Sequence, residues 1–557
     1  LKKKFYIIFF SLVIISLIVT SFYSLSFKQK VNDRPLPFFY KKGAFHIHSD
    51  FSDGRGGIDE ISRDANHSNL DFVILADHGR PNLAASAATG WINNILLIGA
   101  SEFSLNEGHL AAAGYRIPNY IFPPEAREAV AEVNRDRGVS FISHPFDQKI
   151  PWTGRQVRGF TGIEILSLYQ LVKRVPFFKA VIFPLQYLFN SDYALTSLIT
   201  YPEKESQVWD SLNKEGKYYG IFALDAHAKL GISRKFQLNF PAYASLFKIL
   251  TVYVKVENDS EKDPLRAAAA IVSAIRSGNF FNVIESLAPA NGFENYYREK
   301  DGRLVEMGGS AQATGGTLIF KLPFNFTTAI VVKKDGKIFK TINGNIKQQL
   351  SIPISHTGVY RAEISLNSGR FKKLPWIVTN PIYIAQPAIE KKLSENTAGI
   401  ILVDRENYFR VEKNGRSSAA IHWEAQGEEP PVIGLTFTLQ REASDQVNFW
   451  VALAHRAILD FSNYQGFVFE TRGSGPMRFW LQFRTGIGRE EAAYQHSFLV
   501  TEQWRKIAIP FSSFHRLYGQ PAAPDTAAIN ALFFLIDNGN AYPGTKGEIF
   551  FRQIGLY

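Results

Sequence analysis

The stretch His46-Ile47-His48-Ser49-Asp50-Phe51-Ser52-Asp53-Gly54 follows the apolar residues Ala44 and Phe45 and decides how the rest of the chain is read. Side chains alternate faces along a strand, so two histidines one residue apart are expected to point the same way. Two imidazoles converging at a strand end suit metal binding, which core packing does not require. Ser52-Asp53-Gly54 then turns the chain back and offers Asp53 as a further ligand. Everything depends on whether later segments supply more ligands.

A chain of 557 residues with 46% hydrophobic and 20% charged residues is ordinary globular material, enough for two to four compact units. It contains no cysteine, which excludes disulfides, thiolate metal sites and cysteine nucleophiles. Any metal must therefore be held by His, Asp and Glu, a set that suits zinc, manganese or iron. The net charge of +11 raises nucleic acid as a partner, but the basic residues are scattered and form no stripe beyond the N-terminus. Nucleic-acid binding is not expected.

Lys2-Lys3-Lys4 precedes an apolar run from Phe5 to Phe27, long enough to span a hydrocarbon core of about 30 Å. The run ends Ser-Phe-Tyr-Ser-Leu-Ser-Phe, unlike the small-residue pattern of a cleaved signal. Residues 1–30 are thus expected to be an uncleaved transmembrane anchor in preference to a signal, with the rest outside the cytoplasm, periplasmic or extracellular. Residues 31–43, with Pro35 and Pro37, read as a tether.

From 44 to 285, apolar runs alternate with helical patterns. Ala44–His48, Phe72–Ala76, Leu96–Ala100, Val139–Ser143, Gly162–Leu166 and Tyr219–Leu224 read as buried strands; Ile58–Ser68, Pro124–Arg137 and Asp263–Arg276 read as helices. Such alternation implies a parallel α/β sheet, open or closed into a barrel. The apolar segment Val175–Phe189 is too short to span a membrane comfortably. It reads as a buried helical insertion or as an arm lying on the bilayer. Beyond 285, short strands punctuated by turns predict two all-β sandwiches: an Ig-like one over 286–384 and a jelly roll over 385–557.

The chemistry sits where the apolar strands of the first region end. His46 and His48 with Asp53 end the first, and Asp77-His78 the second. Glu102 ends the third, followed by His109; then come His144 and the pair Asp225 and His227. A single histidine after a strand is usually a hydrogen-bonded loop residue, but five such sites in order within one region point to a shared metal centre. Asp77 reads as a carboxylate behind the ligands or a local structural anchor. Arg80 reads as a contact for an anionic substrate or a surface loop residue.

The ordered set H-x-H-S-x-x-S-D-G, D-H, a strand-end Glu, G-H-L, S-H-P and D-A-H resembles the polymerase and histidinol phosphatase (PHP) superfamily over about residues 44–284. The resemblance implies a distorted (β/α)7 barrel with two or three divalent metal ions. It would place His46, His48, Glu102 and Asp225 on one metal and make Glu102 a bridge to a second, held also by His109 and His144. Asp53, His78 and His227 would hold the third. Aspartate at 53 departs from the histidine seen in some members, which bears on that third metal. A hydroxide bridging two metals would be the nucleophile, with Glu102, His227, Asp77 and Arg80 as the residues closest to catalysis.

The C-terminal region resembles galactose-binding-like jelly rolls through Tyr464–Phe467, Phe479–Phe483, Trp504–Phe511 and Gly547–Phe551. Its motifs are mostly strand patterns, and Trp480 or Trp504 either stacks on a sugar or packs in the core. The expected function is an exported metal-dependent hydrolase acting on an anionic ester, small or polymer-linked, foremost as a phosphoesterase. The alternatives are carboxylic or carbamic ester cleavage, as in the carbaryl hydrolases that some exported PHP-like proteins resemble, and a glycan-binding surface scaffold with an inactive barrel.

Overall fold

Strand β1 (Tyr40–Ile47) lies parallel to β2 (Phe72–Leu75), whose chain continues through Ala76 into β3 (Asp77–His78). After a short β4 (Gly90–Ile92), β5 (Ile95–Ile98) and β6 (Ala100–Leu105) likewise make one long strand, paired to β2 at one end and to β3 at the other. This computed structural model describes residues 24–37, 39–173, 175, 177–231, 237–257, 261–323, 327–345, 349–366, 371–384, 400–401, 409–424, 431–441, 449–456, 460–486, 491–520 and 522–557.

A two-residue turn sends the chain back as β7 (Gly108–Ala113), antiparallel to both β6 and β8 (Val139–Ile142). Next come β9 (Gly162–Ser167) and β10 (Tyr219–Ala223), parallel to β8 and to one another. The ring closes where Leu224 N donates to Phe45 O at 3.0 Å and His48 N to Ala226 O at 2.9 Å. Seven staves result, counting β2–β3 and β5–β6 as one each, and one of them is reversed. Closure satisfies the backbone of β1 and β10, which an open sheet would leave as bare edges.

The helices follow the sequence signals. Ile58–His67 carries Asp59 and Glu60 in its first turn, where the helix dipole favours anions. Pro264–Arg276 is capped by Asp263, which accepts from Arg266 N, and buries Ile271, Val272 and Ile275. The helix expected over Pro124–Arg137 runs from Ala126 to Arg135.

Two domain expectations need correction. After β11 (Leu230–Gly231) and β12 (Gln237–Leu238), β13 (Leu250–Lys255) pairs with the start of β1 and β14 (Phe280–Ile284) pairs with β13. Ile377–Thr379 then adds to β14, and Gly358–Leu366 and Thr327–Lys334 extend the same sheet. The boundary expected at 285/286 therefore falls inside a continuous hydrogen-bonded sheet. Residues 286–384 fall in the same compact unit as the barrel. Buried Asn282 and Asn380 show why: Asn282 accepts from Phe222 N at 2.7 Å, and Asn380 accepts from Gly220 N at 2.9 Å, so β10 needs both segments for its backbone.

The tether is also not free. Gln29 donates to Glu285 O at 2.6 Å, and Asn32 donates to Pro289 O and Asn291 O at 3.0 Å each. Among the described residues no helix is long and apolar enough to cross a membrane. The anchor call falls largely on residues 1–23, outside the described set.

The second unit comprises Lys391–Tyr557 together with Ile117–Ala129, a segment that sequence alone places in the barrel. Two six-stranded antiparallel sheets enclose Phe467, Phe469, Phe479, Phe483, Phe498, Phe534 and Phe551. Tyr120 bridges to Ala541, and Glu128 takes Arg478 and, at 2.9 Å, His496. Trp480 is buried, with its indole N–H donating to Asp537 at 2.8 Å, on the face of its strand opposite the core residues Phe479 and Leu481. Trp504 sits beside two guanidinium groups, Arg472 at 5.3 Å and Arg552 at 4.4 Å from its ring centre.

Candidate metal centre

The candidate ligands meet at the C-terminal ends of the parallel staves, as the barrel's geometry requires. His46 and His48 do converge, with Nε2 atoms 3.0 Å apart, but simple strand alternation does not bring them there. The register of β1 against β2 shifts between Phe45 and Ile47, and His46 has φ of 68°. His144 and Asp225 also lie in the left-handed region, at φ of 29° and 51°. Non-glycine residues hold such conformations at a cost of ~1–3 kcal/mol each where the surroundings over-determine them, and such strain gathers at functional sites.

Glu102 is the hub. One carboxylate oxygen lies 3.1 Å from His144 Nε2, 3.3 Å from His109 Nδ1 and 3.5 Å from His46 Nε2. The other lies 3.2 Å from His78 Nδ1 and 3.6 Å from His48 Nε2. Asp225 Oδ1 is 3.5 Å from His48 Nε2 and 3.8 Å from His46 Nε2. Asp53 Oδ1 is 3.2 Å from His227 Nε2, 3.5 Å from His48 Nδ1 and 3.7 Å from His78 Nε2. Three groups of donors are close enough to hold a metal: His48, Asp53, His78 and His227; His46, His48 and Glu102; His78, Glu102 and His109. His48 and His78 each belong to two of them.

The donor chemistry fits cations. The buried Nδ1 atoms of His48, His78, His109 and His144 make no hydrogen bond of good geometry, although buried polar atoms nearly always do. Burial, with His227 and His46 nearby, lowers His48 to about 4, so it is neutral at pH 7 with lone pairs to offer. Burial opposes charge on Glu102, yet the imidazoles of His46, His109 and His144 hold it well below the carboxylate range. Burial likewise works against the His144 imidazolium, but Glu102 outweighs it and lifts that ring to about 9.

Surrounding groups fix the rings. Glu164, in the middle of β9, places Oε1 2.5 Å from His46 Nδ1 and accepts from His144 N at 2.8 Å through Oε2. It was not among the candidates, yet Gly162-Ile163-Glu164-Ile165-Leu166 shows a charge alone in an apolar strand, which has to be paired once buried. Asp77 accepts from Ser49 N at 2.8 Å, Ser49 Oγ at 2.8 Å and Ser52 Oγ at 2.6 Å. It is the local anchor of the His48–Gly54 turn. That turn needs glycine at 54, where a Cβ would lie 2.3 Å from the His48 carbonyl oxygen.

A cavity of about 430 Å³ opens over the centre. Lys149 and Lys173 are among the residues lining it, and Arg80 is not. Lys173 Nζ sits 4.3 Å above the Tyr169 ring, Tyr169 stacks on His227 at 4.6 Å, and His227 stacks on His48 at 4.2 Å. A column of aromatic faces thus carries a positive charge at the cavity wall.

No family model matches the chain, and no curated protein matches it. Among solved structures, a two-domain protein from Bacteroides vulgatus containing a predicted PHP-like metal-dependent phosphoesterase is 14% identical. That match covers 64% of this chain and 99% of that one, with a TM-score of 0.30. A family 11 carbohydrate-binding module from Clostridium thermocellum, in complex with a β-1,3-1,4-mixed-linked tetrasaccharide, is 16% identical over 29% of this chain and 96% of its own, with a TM-score of 0.23. A family 30 module of a cellulosomal cellulase from the same organism is 15% identical over 28% and 95%, with a TM-score of 0.23. Likenesses this slight leave the function to be argued from the site.

Proposed function

We propose that the chain is a metal-dependent phosphoesterase of the PHP type, held at a membrane by its N-terminal apolar run with the barrel outside the cytoplasm. The observation that carries this reading is the convergence of His46, His48, His78, His109 and His144 on Glu102 beneath a cavity whose wall bears Lys149 and Lys173.

Two or three divalent ions, zinc, manganese or iron, would supply a water of lowered pKa and positive charge to offset that developing on the substrate's oxygens. The residues named above would hold them: His46, His48, Asp225 and Glu102; Glu102, His109 and His144; Asp53, His78 and His227. Glu102 stays ionised and faces both sides of the cluster. Glu164 keeps His46 in one orientation, which frees its Nε2 toward the centre. Lys173 and Lys149 draw an anionic ester into the cavity and hold it by charge.

Of the residues lining the cavity, Ile150 alone is aliphatic, and that polarity favours phosphate over the carboxylic or carbamic ester of the alternative reading. The test is to strip metal with a chelator, restore zinc, manganese or iron singly, and assay phosphomonoesters, phosphodiesters, carboxyl esters and carbamates. Hydrolysis of phosphoesters that appears only on metal restoration is expected. Chelator-insensitive turnover, or a preference for carboxyl esters or carbamates, contradicts the proposal.

A further inference from the structure

Helix Phe177–Phe189 ends in two side chains that the barrel's unit leaves exposed, Leu188 at 80% and Phe189 at 47%. A third exposed apolar group, Leu25 at 61%, lies in the chain segment bonded to the same end of the helix. Ser24 Oγ donates to Gln186 O at 3.4 Å, and Asn190 Nδ2 donates to Ser24 O at 2.9 Å and to Phe27 O at 3.1 Å. Phe27 packs on Tyr193 at 5.8 Å and on Phe371 at 5.4 Å, and the residues that follow each phenylalanine, Lys28 and Lys372, are exposed. The result is an apolar tip at the end of the helix.

The chain that reaches this tip is the apolar run beginning at Phe5, so the place where the proposed anchor ends is the place where these side chains stand out. A helix of 13 residues is about 20 Å long, short of the ~30 Å needed to cross a hydrocarbon core, and it contains Pro184. Its sequence holds one charged residue, Lys179, so a short apolar helix ending in the exposed Leu188 and Phe189 suits contact with acyl chains at the boundary and not a crossing of the bilayer.

Building on the anchor reading above, we infer that the tip formed by Leu188 and Phe189, beside Leu25 at the end of the anchor run, is a second, lipid-contacting foot. It inserts at the headgroup boundary of the bilayer that the anchor crosses and fixes the barrel against the membrane surface.

The absence of cysteine makes the test direct. Leu188→Cys, Phe189→Cys and, as an aqueous control, Ile338→Cys, which replaces a side chain 68% exposed, each carry one nitroxide label in the full chain. The labelled chains are reconstituted in phosphatidylethanolamine–phosphatidylglycerol vesicles. The expected result is an oxygen-to-nickel-chelate accessibility ratio several-fold higher at 188 and 189 than at 338. Labels at 188 and 189 as open to the nickel chelate as 338 overturn the foot and leave the anchor standing. Labels shielded from both reagents show a protein covering the tip and also overturn it. A chain that fails to float with vesicles removes the anchor and the foot together.

Discussion

Glu164 Oε1 lies 2.5 Å from Nδ1 of His46, both side chains fully buried, and the same carboxylate's other oxygen accepts from the backbone N–H of His144. One glutamate thus holds the ring of His46 and the backbone of His144, two candidate ligands from different segments. Glu164→Gln keeps the shape but gives up the charge that holds His46 in one tautomer. A loss of roughly 10–100-fold in metal affinity is expected, as for partners that orient metal-bound histidines. Competition titration with a chromophoric chelator measures it, and circular dichroism checks that the fold is kept. Affinity equal to wild type would remove Glu164 from the account.

The lysine above Tyr169 separates phosphate from neutral esters. Lys173→Ala takes away a charge-assisted contact worth ~1.5–3 kcal/mol, or roughly 10–100-fold. The loss should fall on KM for a phosphoester and leave any hydrolysis of an uncharged carboxyl ester unchanged. Steady-state kinetics on the two substrates decide it. Equal losses on both would mean that Lys173 supports the wall and does not bind the anion.

In the second unit, burial lifts Glu125 from the ordinary 4.5 to about 7. A folded pKa raised in this way contributes stability that is fully present below about 4.5 and is lost as pH rises through about 7. Burial opposes the charge on His496, but Glu128 outweighs it and raises that ring too, so its contribution is also lost on the alkaline side. Glu128 has the opposite sign: burial opposes its charge, but His496 and Arg478 lower it, so its contribution is lost as pH falls. Glu125→Gln should therefore flatten the loss of stability between pH 5 and 8, gaining up to about 3 kcal/mol over wild type at pH 8. Urea denaturation followed by tryptophan fluorescence at both pH values tests this, and parallel pH profiles for the two proteins would contradict it.

Much of the centre was legible because its ligands follow apolar strands in order, and a barrel brings strand ends together whatever the residues between them. The route was less legible. His46 reaches its place through a bulge and a positive φ, which side-chain alternation does not foresee. Strand β7 went unread as a strand: Gly108-His109-Leu110-Ala111-Ala112-Ala113 is short and alanine-rich, and the surrounding β/α alternation argued for parallel neighbours. The partnership of 286–384 with β14 rests on Asn282 and Asn380, two polar residues whose value as backbone partners appears only when β10 lies beside them. Ile117–Ala129 joined the second unit through Tyr120 and Glu128, contacts separated by more than 300 residues that no local pattern encodes. Lys149 lies in a loop and Lys173 ends the short helix Leu168–Lys173, and only the fold shows that both line the cavity over the ligands.

The hub at Glu102 gives the most direct test. The variant Glu102→Gln is compared with wild type for metal content, by atomic emission, and for phosphoester hydrolysis. The account predicts bound divalent metal and turnover in wild type, and in the variant a reduced metal content with hydrolysis down by about 100-fold or more. A Glu102→Gln protein that is fully metal-loaded and hydrolyses phosphoesters at the wild-type rate would contradict it.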